Sequence, residues 1–534
     1  MGGTLVNDAI ADWIDADPDP ETRAELANLS ADELADRFAA PLSFGTAGLR
    51  GPVRAGPNGM NLAVVIRTTA GLSAWLKDRC LGGSTVVVGR DARHGSEKFA
   101  VAAAEVLAAA GFSVVLLPRP LPTPIVAFAV RRLRAAAGVQ ITASHNPAAD
   151  NGYKVYLDGG AQLISPSDRE IEASITRVGP ANLVPRTPVT SASEELLDLY
   201  VDRVASLPTG RSRTLRIALT AMHGVGGETA VAALKSAGFT DVHTVAAQFH
   251  PDPDFPTVEF PNPEEPGASD AVLALAAEVG ADIALALDPD ADRCAVGVRG
   301  PDGWRMLRGD ETGVLLGEHV LASAPADSLV ATTIVSSALL GKLAEARGAR
   351  FARTLTGFKW LVRAGEGLVY AYEEAIGHCV DPESVRDKDG ISAAAVAADL
   401  AATLRAEGST LLDRLDDYAL EFGLHAGDQV SRRVTDLSDI SAMMRRLRSE
   451  LPAELAGEPV EATDLAELRG QSRTDAVVLA GSTVRMVVRP SGTEPKLKCY
   501  LEAVVPVPDR SALPAARERA ATRLNLLREF AEAL

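Results

Sequence analysis

From Thr85 the apolar positions fall into one recurring unit: a β-rich run at 85–88, a turn, an Ala-rich stretch at helical spacing over 97–110, and another apolar run at 113–117. That order is a βαβ pattern, which calls for a parallel sheet covered by helices. The unit returns at 216–221 with 228–237, and again at 329–335 with 338–346. Three α/β domains in series are therefore expected. Ahead of them, roughly the first 40 residues alternate acidic and apolar positions at helical spacing and predict a surface helix or two. After about Ala426 the pattern changes to a charged helix, short β-runs at 476–479, 484–488 and 497–505, and a final helix. This predicts a smaller α+β domain at the C-terminal end.

The length agrees, since 534 residues exceed what one hydrophobic core serves and suit about three or four domains. Apolar residues at 47% and charged residues at 23% are the composition of a soluble globular protein. A formal net charge of −18 argues against nucleic-acid or anionic-membrane partners, either of which needs a basic field. An anionic substrate would need a local Arg and Lys cluster. Cysteines 80, 294, 379 and 499 are far apart and in no C-x-x-C pairing, so free thiols in a reducing compartment are expected. The N-terminal stretch is acidic where a secretion signal is basic and then apolar. The most apolar stretch, 271–287, is broken by Glu278 and Asp282, too broken for a membrane span. A cytoplasmic protein is the expectation.

Candidate chemistry lies on the loops. Thr142-Ala143-Ser144-His145-Asn146-Pro147 closes the apolar segment 138–141, with Asn151-Gly152-Tyr153-Lys154 shortly after. Ser144 is flanked by small and turn-forming residues that let a ligand approach, and serine needs a base, a metal or an attached group to react. Ser43-Phe44-Gly45-Thr46-Ala47-Gly48-Leu49-Arg50-Gly51 sets three glycines around Arg50, a backbone suited to close approach with a guanidinium aimed at the ligand. Asp288-Pro289-Asp290-Ala291-Asp292-Arg293 places three carboxylates at alternate positions of a tight loop, able to converge on one hard divalent cation. It is no EF-hand, because Arg293 and Arg299 stand where that loop needs glycine and glutamate. A magnesium ion keeps positions for phosphate oxygens, so the triplet beside Arg293 suits phosphoryl transfer. Arg489-Pro490-Ser491-Gly492-Thr493-Glu494-Pro495-Lys496-Leu497-Lys498, between two apolar runs, has the composition of a phosphate clamp. Tyr372-Glu373-Glu374-Ala375-Ile376-Gly377 offers adjacent acids at a strand end, suited to sugar hydroxyls. His223-Gly224-Val225-Gly226-Gly227 looks like a dinucleotide fingerprint, but Thr229 stands at the third glycine position, so a tight turn at a helix start is expected. No Walker loop or kinase signature is present.

Together these stretches resemble the α-D-phosphohexomutases, the phosphoglucomutase and phosphomannomutase superfamily, from about Leu42 to Glu502 and in the family's order. The run Thr354-Leu355-Thr356-Gly357-Phe358-Lys359-Trp360, with Glu373 to Gly377 and Asp387-Lys388-Asp389-Gly390, is most similar to the branch holding phosphopentomutases and glucose-1,6-bisphosphate synthases. The resemblance implies four domains around a central cleft: a phosphoserine-loop domain (1–207), a metal-loop domain (208–308), a sugar-loop domain (309–428) and a phosphate-binding C-terminal domain (429–534). It implies a phosphoprotein isomerase that interconverts glucose or mannose 1- and 6-phosphates through a bisphosphate intermediate, in need of Mg²⁺ and a sugar bisphosphate activator. Ser144, Lys154, Arg50 and His145 form the implied catalytic set, with Ser144 phosphorylated at rest and Lys154 as general acid or base. Ser144, Asp288, Asp290 and Asp292 would hold the metal. Arg293, Thr356, Gly357, Glu373, Lys388, Arg489, Ser491, Gly492, Thr493 and Lys498 would bind substrate. Ala375 departs from many glucose- and mannose-handling members, which have serine there. A phosphopentomutase, or a sugar-phosphate-binding protein without turnover, is the alternative.

Overall fold

The apolar runs become the inner strands of sheets. A computed structural model describes residues 2–534 apart from Thr46, Ala47, Thr435, Gln471, Ser472 and 492–495. The chain forms two units, Met1–Leu307 with Gly377–Ala402, and Arg308–Ile376 with Thr403–Leu534.

In the first unit one sheet comprises β1 (Leu49–Pro52), β2 (Thr85–Arg90), β3 (Ser113–Leu116), β4 (Ala137–Ile141) and β5 (Asp150–Leu157), in the order β1-β5-β4-β2-β3. The inner strand β2 runs parallel to β3 and β4, and β5 and β1 are added antiparallel. Val86, Val88, Val139, Ile141 and Val155 fill a core with Phe99, Leu107 and Tyr153, each buried aliphatic contributing about 1.5–3 kcal/mol. The second sheet has the same plan: β6 (Arg216–Thr220), β7 (Asp241–Thr244), β8 (Ile283–Leu287), β9 (Cys294–Gly300) and β10 (Gly303–Met306), in the order β10-β9-β8-β6-β7. Both inner strands that lead into the chemistry, β4 and β8, are buried at all five positions. The loops that leave them are therefore anchored at one end by core packing.

The second unit carries β11 (Leu329–Thr333) flanked in parallel by β12 (Arg350–Thr354) and β13 (Leu368–Glu373). Its C-terminal part is an antiparallel sheet in the order Leu424–Arg433, Lys496–Val505, Val484–Pro490, Val477–Ala480, Glu461–Asp464, with the helix Leu513–Ala533 packed on it.

Two expectations are corrected. The N-terminal stretch forms three helices, Gly2–Ala16, Pro20–Asn28 and Ala31–Phe38, because Asp19 and Ser30 each cap a new start. The charged segment after Ala426 is first a strand, Leu424–Arg433, paired along all ten residues with Lys496–Val505, and only then a helix, Leu437–Ser449. Its residues are mostly half-exposed, so no apolar alternation marked it. Among the described residues, no helix is long and apolar enough to cross a membrane, and the 271–287 stretch divides into the helix Asp270–Val279 and β8. All four cysteines are free.

Candidate active site

Ser144 follows β4 and has a backbone φ of 55°, a left-handed conformation that costs a non-glycine residue on the order of 1 kcal/mol and needs outside support. Two supports are present. The Ser144 amide donates to Thr142 Oγ1 at 2.9 Å, and the buried Arg93 guanidinium donates to the carbonyls of Ser144 (2.7 Å), Asn146 (2.6 Å), Pro147 (2.8 Å) and Asp150 (3.2 Å). Arg93 is itself held by Asp91 at 3.4 Å and lies over the Phe255 ring. The Ser144 hydroxyl is thereby aimed at the second sheet, donating to Asp288 Oδ2 at 3.1 Å with His145 Nδ1 3.3 Å away.

The aspartate loop leaves β8 and turns at Ala291, whose φ is 54°. Asp288, Asp290 and Asp292 are fully buried and bring one oxygen each within 4.8 Å of one another. The glycines of 223–227 serve this loop: a Cβ on Gly224 would lie 2.3 Å from Pro289 Cα, and one on Gly226 would lie 2.6 Å from Ala291 Cβ. The expected tight turn at the start of the helix Gly226–Ser236 is what stands there.

The three acids are not equivalent. Lys154 donates to Asp290 (2.6 Å) and Asp292 (2.9 Å), and Lys388 reaches Asp292 at 3.1 Å. Burial alone would raise every carboxyl here, yet Lys154 holds Asp290 below its ordinary value, and Lys154, Lys388 and Arg293 hold Asp292 far below it. Asp288 is pushed well above its ordinary value by burial and by its two acidic neighbours. Lys154 stays protonated because Asp290 and Asp292 outweigh its burial. His145 is kept neutral by burial and by the Arg293 and Arg50 cations. Oδ1 of Asp290 and Oδ1 of Asp292 are buried with no hydrogen-bond partner, which is costly for carboxylate oxygens. An all-oxygen set with two such orphans, crowded so closely that Asp288 resists ionisation, fits a hard divalent cation, whose charge would relieve that repulsion.

Arg50, on β1, donates to Asn146 Oδ1 at 3.0 Å. Its strand lies against β5 because Gly48 has a φ of 81° and leaves no room for a Cβ, which would meet the Tyr153 carbonyl at 1.8 Å. Arg293 donates its amide to Asp288 Oδ1 at 3.0 Å and stands 3.7 Å from Glu264. The first unit thus gathers Ser144, His145, Lys154, Arg50, Arg293, Lys388 and the three aspartates.

The remaining predicted residues lie in the second unit. Glu373 ends β13, and the neighbouring Glu374 accepts from Thr333 (3.2 Å) and Ser336 (3.1 Å). Thr356 and Gly357 precede the short helix Phe358–Leu361, and Gly357, at a φ of 104°, takes a conformation open to glycine. Arg489 and Lys498 are direct cross-strand partners, so both cations stand on one face of the sheet, about 5 Å apart at Cβ. The Ser491 amide closes the loop on the Lys496 carbonyl at 2.8 Å. Gly492 and Thr493 lie outside the described residues.

Two supporting groups, Thr123 and Arg93, escaped the sequence reading, and a third, Asp387, entered it only within the run 387–390. Thr123 donates its hydroxyl to Asp290 Oδ2 (2.6 Å) and its amide to the Asp290 carbonyl (2.9 Å). Arg93 clamps the serine loop as described. Asp387, beside Lys388, accepts from Tyr156 and Gln162, each at 2.8 Å. Of Thr123 and Arg93, only Arg93 left a local signal, the pair Asp91-Ala92-Arg93 directly after an apolar strand.

Comparison with known proteins accords with this geometry. Four consecutive segments match the phosphoglucomutase/phosphomannomutase families: alpha/beta/alpha domain I over residues 41–181, domain II over 198–301, domain III over 308–418, and the C-terminal domain over 432–515. The chain is 42% identical to a probable phosphomannomutase of Haemophilus influenzae, over 83% of this chain and 93% of that protein. It is 35% identical to a phosphopentomutase of Mus musculus, over 93% of this chain and 90% of that protein. Among solved structures, a putative phosphomannomutase of Thermus thermophilus superposes with a TM-score of 0.71 at 25% identity, covering 92% of this chain and 99% of the other.

Proposed function

The chain belongs to the phosphoglucomutase/phosphomannomutase family, and from that membership we propose a phosphosugar mutase that moves a phosphoryl group between C1 and C6 of glucose or mannose through a phosphorylated Ser144. The observation that carries the reading is the Ser144 hydroxyl, held 3.1 Å from Asp288 in a backbone conformation maintained by Arg93. A serine on a strained, braced loop beside three buried carboxylates is placed for phosphoryl transfer, where positioning and charge stabilisation do most of the work.

In the forward half, the bond between Ser144 Oγ and phosphorus breaks and a bond from the free sugar hydroxyl to phosphorus forms. The hydroxyl's proton passes to the site as its oxygen attacks, and a proton returns to Ser144 Oγ as the phosphoryl departs. Neutral His145, 3.3 Å from Ser144 Oγ, can take a proton, and Lys154, kept charged by Asp290 and Asp292, can supply one. The resulting bisphosphate then presents its other phosphate to Ser144 and the steps reverse. Arg50 and Arg293 stabilise the transferring charge. Asp288, Asp290 and Asp292 would hold Mg²⁺, which when bound supplies positive charge to the phosphoryl oxygens. Arg489, Ser491 and Lys498 would hold the phosphate that is not reacting, and Glu373 with the Thr356-Gly357 turn would receive sugar hydroxyls. A sugar bisphosphate would prime the serine. These roles go with the domain division 1–207, 208–308, 309–428 and 429–534, and the free thiols suit a cytoplasmic enzyme.

A pentose substrate is the second reading. It is favoured by the phosphopentomutase relative and by Ala375, which leaves the loop without a serine hydroxyl. Coupled assays with glucose, mannose and ribose 1-phosphates, each primed with the matching bisphosphate, decide between them. The hexose reading expects kcat/KM for glucose or mannose 1-phosphate to exceed that for ribose 1-phosphate by at least about tenfold. A preference for the pentose reverses that reading, and no turnover of any of the three refutes the mutase.

A further inference from the structure

Away from the serine and aspartate loops, the first unit contains a cavity of about 610 Å³ lined by Phe128, Arg131, Arg132, Arg134, Arg203 and Glu383 among others. It sits at the C-terminal end of the helix Thr123–Leu133, whose first residue bonds the metal loop. Eleven residues at 1.5 Å each separate Thr123 from Arg134 by about 16 Å along the axis, so the cavity is not part of the catalytic cluster.

Its charge is lopsided. Arg203 is neutralised by a two-pronged pair with Asp381 at 2.7 and 2.8 Å. Arg131 donates to carbonyl oxygens, those of Glu383 (2.6 Å) and Gly159 (3.0 Å), and shares the Glu383 and Asp381 carboxylates at longer range. Arg386 is near enough to press on Arg131 as a second cation. Among the described residues, the guanidinia of Arg132 and Arg134 have no hydrogen-bond or ion-pair partner. Counting the four cavity-lining arginines Arg131, Arg132, Arg134 and Arg203 against Asp381 and Glu383 leaves a local surplus of about two positive charges. The helix's C-terminal dipole offsets about half a charge, and it accounts for one or two arginines there but not for four. A chain with a net charge of −18 has no general need for such a patch.

Arg134 adds an independent observation. It ends the helix at a φ of 49°, the left-handed position where glycine or asparagine is the ordinary choice. Placing arginine there costs on the order of 1 kcal/mol of backbone strain, and strain of this kind points to a use for the side chain. The walls from Phe128 and Leu199 are apolar, so the cavity offers a carbon-lined floor under a rim of forked donors.

We propose that this cavity is a second anion site, for a small molecule bearing two or more phosphate charges. Guanidinium forks match phosphate oxygens in pairs, and two free forks on a cationic background select a polyphosphorylated group over a single phosphate. The inference is independent of which sugar the catalytic site accepts.

The test is isothermal titration of the full chain, in chelator, with inorganic pyrophosphate and separately with ATP, comparing wild type with Arg132→Glu/Arg134→Glu. Neither residue belongs to the catalytic set, so circular dichroism and mutase activity of the double variant are expected to match wild type. Wild type should bind pyrophosphate with a Kd in about the micromolar to low millimolar range, weakened at least about tenfold in the double variant. A Kd for ATP well below that for pyrophosphate identifies the occupant as a nucleotide, whereas equal values identify a phosphate-only determinant. Pyrophosphate and ATP binding that is equally strong in both proteins, or absent from wild type, overturns the proposal.

Discussion

At the residue scale, the site separates groups that a motif treats as equals. Ser144→Ala removes the phosphoryl carrier and leaves its bracing intact, since Arg93 and Thr142 bond backbone atoms. Turnover should fall by at least about a thousandfold with circular dichroism and substrate binding retained. Intact-protein mass should show a phosphate-sized addition on wild type and none on the variant. Measurable turnover near the wild-type rate would refute the carrier. The three aspartates make a sharper case. Asp288 is raised, with no ion-pair cation among the described residues, whereas Asp290 is lowered and paired to Lys154. In chelator, Asp288→Asn is therefore expected to raise Tm by about 2–4 °C, and Asp290→Asn to lower it by a similar amount. Both should weaken Mg²⁺ activation. Equal Tm shifts for the two variants would mean that mutual repulsion outweighs the Lys154 pairing.

At the element scale, the loop after β4 is stiff because one side chain ties four of its carbonyls. Arg93→Ala leaves Asp91 buried without its cation and should cost about 3–5 kcal/mol. Arg93→Lys keeps the charge but not the fork, so kcat should fall by up to about a hundredfold with KM little changed, as expected when a reacting atom is displaced and the binding groups are not. A KM-only effect would assign Arg93 to substrate binding instead. In the C-terminal sheet the Arg489 and Lys498 pairing sets two cations on one face. Removing Arg489 should lower kcat/KM in both reaction directions by about ten- to hundredfold, with Arg489→Lys recovering part. An unchanged kcat/KM in a folded Arg489→Ala enzyme would make this loop a plain hairpin.

At the scale of the whole molecule, each unit has its own buried polar knot. In the second unit, Glu502 on the strand Lys496–Val505 accepts from Ser337 Oγ (2.6 Å), the Ala338 amide (2.9 Å) and His425 Nδ1 (2.9 Å), tying the start of the helix Leu339–Ala346 to the C-terminal sheet. Burial works to raise this carboxyl, but the His425 bond, the Ser337 bond and Arg485 win and bring it down to about 2. A carboxyl lowered in the fold adds stability above its unfolded value near 4.5 and loses it as pH falls toward about 2. A lowering of that size corresponds to at most about 3 kcal/mol. Wild type should therefore be more stable than Glu502→Gln at about pH 7, with the gap in Tm closing between about pH 4.5 and 2. A gap independent of pH would mean that Gln fails by shape and not by charge.

The sequence by itself determined whatever is encoded within a few residues. The inner strands and their helices follow from the period of apolar positions. The aspartate triplet is legible because its three carboxylates are neighbours in the chain, and the serine loop because its turn residues adjoin a strand. The N-terminal helix count and the strand Leu424–Arg433 were not legible in the same way. Capping and half-exposed pairing leave weak apolar patterns, and a strand of polar residues is specified by the partner it meets. Only the tertiary structure decided which distant groups share the site: Ser144 against Asp288, Lys154 on Asp290 and Asp292, Thr123 on Asp290, and Arg93 under the serine loop. The physical reason is that ion pairs and hydrogen bonds of this kind form after the sheets have packed. Which lysine meets which carboxylate then depends on sheet order and loop exit, and burial with its neighbours sets each group's charge.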